Sequence, residues 1–170
     1  MTDGPMDASR PRVSRAAWLL GLSGLLPQIA AVLAILTARL SPSGPAVHAA
    51  QFAIAIGIAY PLLILSFLGG VWWGFAVRRT RGQGALAVVA VAPSLIALAL
   101  LALGASTGHV GFTLVAIGCA ILLTLVVDRA LARGGDAPAD WMRLRVPLSA
   151  GLGGLTILLG ALVGGPVTHL

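Results

Sequence analysis

Residues Leu65–Ala76 read LSFLGGVWWGFA, three glycines and a tryptophan pair in twelve residues, and Arg78, Arg79 and Arg81 follow at once. Glycine is a poor helix former in water. The stretch is therefore a cofactor loop, a catalytic turn, or a helix face adapted to another solvent, and the surrounding chain decides which.

The 170 residues suffice for one domain, yet 58% are hydrophobic and only 9% are charged. Soluble domains carry roughly 25% charged residues, so this chain lacks the polar groups to cover a globule. A mean hydropathy of +1.00 agrees. All eleven basic residues are Arg and all five acids are Asp. A formal charge of +6 on a soluble protein would suggest nucleic acid. Here the arginines stand between apolar runs, so membrane topology accounts for them and no nucleic-acid partner is expected.

About 20 apolar residues cross a bilayer as a helix. Five runs qualify, at 16–38, 52–77, 85–103, 110–127 and 146–163, behind a polar tail at 1–14. The expected fold is an all-α integral membrane bundle of five transmembrane helices. The connections read as turns: SPSGP within 39–51, RRTRGQG at 78–84, GASTGH at 104–109, and a longer charged loop at 128–145. The first span has a rival reading as a cleaved signal peptide, with Arg10, Arg12 and Arg15 ahead of it. Its length exceeds a signal's apolar region of about 7–15 residues, which favours a retained span.

Ten arginines lie in the tail and the second and fourth loops, against Arg39 alone on the other side. The positive-inside rule then puts the N-terminus inside and the C-terminus outside. Trp18, Trp72, Trp73 and Trp141 fall on the same side, at the depth of the headgroups. The opening stretch is thus the inner end of the second span. The Ala, Gly and Arg richness suggests a GC-rich genome, and so a bacterial inner membrane.

Ser66, Gly70 and Gly74 stand four apart and form a small-residue ridge, as do Ser149 and Gly153, then Gly160 and Gly164, in the fifth span. Such ridges let helix backbones approach closely in lipid. Packing within the bundle is the first reading and self-association the second. Pro27, Pro61 and Pro93 each remove a backbone hydrogen bond inside a span, and Pro61 and Pro93 mark a possible cavity. No ionisable residue occupies the central part of a span, which counts against ion-coupled transport. Asp128, Arg129, Trp141, Arg143 and Arg145 form an inner-face cluster for anionic lipid or an acidic partner, with the carboxylate shared among the arginines. His48, His109 and His169 map near the outer face without a ligand spacing, and Cys119 reads as a small buried thiol. Neither a catalytic set, a cofactor nor a metal is expected.

The blocks LGLSGLLPQIAAV, YPLLILSFLGGVWWGFA, APSLIAL, DRALA and WMRLRVPLS occur in that order between Trp18 and Leu162. In that order they resemble a membrane family, domain of unknown function 3429, whose eukaryotic relatives include transmembrane protein 69. The resemblance implies the helical fold and the location, and brings no established activity. The leading expectation is a non-catalytic membrane scaffold or assembly partner, binding another membrane protein or itself. The alternative is a small uncoupled transporter or lipid-binding protein. A polar cavity between the spans would favour the alternative, and a filled core the scaffold.

Overall fold

The computed structural model describes residues 13–164. Six helices follow in order: α1 Arg15–Ser23, α2 Leu26–Leu40, α3 Gly44–Ala76, α4 Gln83–Thr107, α5 Val110–Gly134 and α6 Trp141–Gly164. The pair α1–α2 together and each of α3 to α6 are long and apolar enough to cross a membrane, which gives five candidate spans. No strand occurs among the described residues. The chain is a multi-pass membrane protein.

The first span is broken. Pro27 cannot donate to the carbonyl of Ser23, and its ring would crowd that carbonyl in a continuous helix. The chain therefore ends α1 with Gly24 as its cap and restarts α2 with Pro27 in the first turn, where a missing N–H costs nothing. The carbonyl of Gly24, stranded by the break, accepts a hydrogen bond from the Tyr60 hydroxyl of α3. Pro61 leaves a second stranded carbonyl, that of Gly57. The buried Gln28 of α2 donates to it through Nε2 at 3.4 Å. Two proline defects on neighbouring helices are thus repaired by side chains that tie α2 to α3.

The connections are shorter than the apolar runs suggest. SPSGP is a helix start rather than a turn, because Ser43 caps α3 by accepting from the Ala46 N–H and Pro45 occupies the first turn. At the other end α5 runs on past Asp128 to Gly134. Gly135 stops it at φ 83°, a left-handed conformation that side chains with a Cβ resist. The charged loop shrinks to residues 135–140, and Asp128 and Arg145 both belong to helices. The polar tail expected at 1–14 lies almost wholly outside the described residues.

The most extensive helix pairing is that of α5 with α6. A Cβ on Gly118 would sit 2.6 Å from the Gly153 carbonyl, and one on Gly160 would sit 2.7 Å from the Gly111 carbonyl. Both glycine pairs repeat at seven residues, so two turns of antiparallel backbone lie against each other. The ridge expected in α6 does pack within the bundle at Ser149, Gly153 and Gly160, with Gly164 approaching the Gly111 backbone. The ridge in α3 does not. A Cβ on Gly70 or Gly74 would meet nothing within 4 Å, and both glycines are exposed. The inward stripe of α3 is Leu65, Leu68, Gly69, Trp72 and Ala76, and Gly69 supplies the close approach, 2.4 Å from its Cβ position to the Ala90 carbonyl. One residue turns a helix by about 100°, enough to carry Gly70 and Gly74 off the contact. Only Ser66 touches α4, through its hydroxyl, 2.8 Å from that of Ser94.

Cys119 is exposed, not buried, since it stands one step beyond the inward Ile117 and Gly118. Trp72, expected among headgroups, is buried at 3% exposure. Three apolar clusters fill the axis: one near Ala31 and Leu159, a central one around Leu65, Ile117 and Leu152, and one around Trp72, Ala76 and Leu131.

Candidate functional site

Helical periodicity puts one charge of each sign on facing inward stripes. On α5 the stripe reads Ile117, Ile121, Thr124, Asp128, Leu131; on α6 it reads Arg145, Ser149, Leu152, Thr156, Leu159. Spacings of three and four keep each set on one side of its helix. Asp128 is fully buried, and its Oδ2 accepts from Arg145 Nε at 2.7 Å. Its Oδ1 accepts two indole N–H groups, from Trp72 at 3.0 Å and Trp141 at 3.1 Å. Three donors from three positions in the fold therefore converge on one carboxylate. Arg145, itself buried, also donates from Nη2 to the Thr124 hydroxyl at 3.4 Å. Its guanidinium lies 5.9 Å from the centre of the Trp141 ring, which Phe75 meets edge-on at 5.5 Å.

Beside this pair a cavity of about 250 Å³ opens at the α1–α2 break. Leu20, Gly21 and Gly24 form one wall, Tyr60 a second, and Arg145 with Ser149 a third. The remaining lining is mostly apolar. Ser149 is 2% exposed, and its hydroxyl oxygen has no hydrogen-bond partner. A buried polar atom left unpaired costs free energy that native structures seldom leave uncompensated. The other such atom among the described residues is Gln28 Oε1, which lies outside this lining.

The expected cluster of five divides. Asp128, Trp141 and Arg145 come together, while Arg129 is exposed on the far side of α5 and Arg143 faces only Asp140, at 3.8 Å. Arg129 and Arg143 are one and two positions away from the buried pair, and that rotation takes them outward. The carboxylate is shared with tryptophans rather than with several arginines. Pro61 and Pro93 do not line the cavity. Pro61 is buried in packing, and Pro93 lies 3.5 Å from where a Cβ on Gly69 would stand. Tyr60, next to Pro61, reaches the cavity instead. His48 and His109 are exposed, and His169 lies outside the described residues.

A second ion pair fastens the loops at the same end. Arg79, after α3, donates from Nε to Asp136 at 2.8 Å and from Nη2 to the other carboxylate oxygen. These bonds hold the Asp136 carboxyl below the usual carboxylate range and push the Arg79 guanidinium upward.

Sequence reasoning did not reach Tyr60, Gln28 or Thr124, and it placed Ser149 only in a packing ridge. The available signal was polarity within apolar runs: one Gln, the only Tyr, and hydroxyls recurring on the α5 and α6 stripes.

A family described as "Protein of unknown function (DUF3429)" matches residues 13–162. No curated protein and no solved structure matches the chain. The chain belongs to the DUF3429 family.

Proposed function

We propose that this DUF3429 protein is a non-catalytic binding protein of the membrane that receives an amphiphilic molecule between its helices. The observation that carries the reading is the cavity at the α1–α2 break. Its mostly apolar wall meets a guanidinium and a partnerless buried hydroxyl. Ligand sites characteristically combine such walls with a few placed polar groups. The broken first span borders the cavity, with Gly21 and Gly24 in its lining.

Leu20 is 73% exposed and stands on the rim, so Leu20→Trp should cover the mouth with little strain on the bundle. Native mass spectrometry of protein purified in mild detergent should find a bound lipid-sized molecule on the parent. The Leu20→Trp protein, melting at the same temperature, should lack it. A parent that carries nothing, or a variant that retains the same adduct, contradicts the proposal.

A scaffold role has one specific support. Beyond Ser66, Gly70 and Gly74 leave a thin exposed strip along α3, able to accept a helix of another membrane protein or of a second copy. Exposed Arg129 and Arg143 would then attract anionic lipid from the inner leaflet or an acidic partner.

A further inference from the structure

Resting on the binding reading above, the chemistry of the cavity narrows its ligand. A guanidinium has five N–H donors. Arg145 uses Nε on Asp128 and one hydrogen of Nη2 on Thr124. Its Nη1 makes no hydrogen bond with a described residue, and Arg145 lines the cavity. Ser149 stands one turn further along α6, on the same face, with its hydroxyl unpartnered. Two polar groups on one wall thus await an oxygen.

The charge of the site decides which oxygen. Arg145 is the one charged residue in the cavity lining, and Asp128 already neutralises it at 2.7 Å. Two further indole N–H groups donate to the other oxygen of that carboxylate. An anionic headgroup on Nη1 would leave the buried site with an uncompensated negative charge, and in a low-dielectric interior such a charge is costly. An uncharged acceptor completes the hydrogen bonding and leaves the balance intact. We infer that the cavity takes an uncharged amphiphile whose carbonyl or ester oxygen accepts from Arg145 Nη1 and Ser149 Oγ. Its chain would leave past Leu20 and Leu25 toward the lipid.

Three molecules with one C18 chain and different heads separate the possibilities: monoolein (uncharged ester), oleate at pH 8 (anion) and 1-octadecene (no acceptor). Each is titrated against tritiated monoolein bound to the purified full chain in detergent. Unlabelled monoolein should displace the label at about tenfold lower concentration than either of the others. Ser149→Ala should weaken monoolein binding about fivefold, the scale of one neutral hydrogen bond. The same variant should melt no lower than the parent, because it removes an unpaired buried oxygen. Asp128→Asn with Arg145→Gln, a neutral pair, should reduce the preference for monoolein over octadecene and leave the part that Ser149 supplies. If oleate competes as well as monoolein, the site reads an anion and the inference fails. If octadecene does, the cavity is only an apolar groove and it fails likewise. Unchanged affinity in Ser149→Ala also overturns it. Absence of monoolein binding from a protein that still carries the adduct lost in Leu20→Trp overturns this inference and leaves the binding role standing.

Discussion

Asp128 shows how far a single residue could be read from sequence. It is the one acid directly abutting an apolar run, so its pairing with arginine was legible. Its burial was not, because the donors that allow it arrive from Trp72, 56 positions away, and from Trp141 and Arg145 on the next helix. An apolar run also ends where charges begin, and that hid the continuation of α5 through Asp128. Removing one member of a buried ion pair leaves the other uncompensated, at a cost of about 3–5 kcal/mol. Asp128→Asn and Arg145→Gln should each lower the melting temperature in detergent strongly. Their combination should cost clearly less than the sum. Additive losses would mean that the two side chains do not share one buried site. Trp72→Phe should cost less than either single charge change, about 1–3 kcal/mol, because Asp128 keeps two of its three donors.

At the scale of elements, four of the five apolar runs translated directly into single helices and the first into the broken α1–α2 pair, since hydropathy over about 20 residues needs no knowledge of neighbours. Which glycines meet a neighbour could not be read from α3 alone. Ser66, Gly70 and Gly74 keep an attractive spacing, yet the contact falls on Gly69. The small-residue ridge of α6 was read as packing, but its partners Gly111 and Gly118, which repeat at the same interval as Gly153 and Gly160, were not. Gly118→Leu should drive α5 from α6 at a cost of about 1–3 kcal/mol from overpacking. Gly70→Leu and Gly74→Leu should melt like the parent. Loss of stability in the α3 variants together with a tolerant Gly118 would reverse the packing assignment. The loop clasp adds a pH dependence. Asp136 has its carboxyl held low in the folded protein, so its contribution is present above the unfolded carboxylate value, roughly pH 4. That contribution fades as pH falls through the lowered folded value. The melting temperature of Asp136→Asn should lie below the parent's at neutral pH and converge with it in acid. A gap that widens in acid would exclude the pair as its source.

For the whole molecule, Gly21 of α1 packs on Leu144 and Leu148 at the start of α6, while Arg39 at the end of α2 binds the Leu162 carbonyl at the end of α6. The described arginines therefore gather at one end of the bundle, with Arg39 alone at the other. Arginine asymmetry predicts that this rich end faces the cytoplasm. A cytoplasm-dependent reporter should be active when inserted in the 135–140 loop and silent when inserted after Ser41, and the opposite pattern would invert the molecule. The cavity escaped sequence reasoning because its lining comes from four helices and a break, and Pro61 and Pro93 do not line it. The most direct test of the account is a crystal structure grown from a monoolein lipid phase. The account predicts density in the cavity at the α1–α2 break, with an ester oxygen about 2.7–3.2 Å from both Arg145 Nη1 and Ser149 Oγ and the Asp128 pair unbroken. A cavity closed by collapse of Leu20 and Leu25, or Arg145 swung away from Asp128 toward a bound anion, would contradict it.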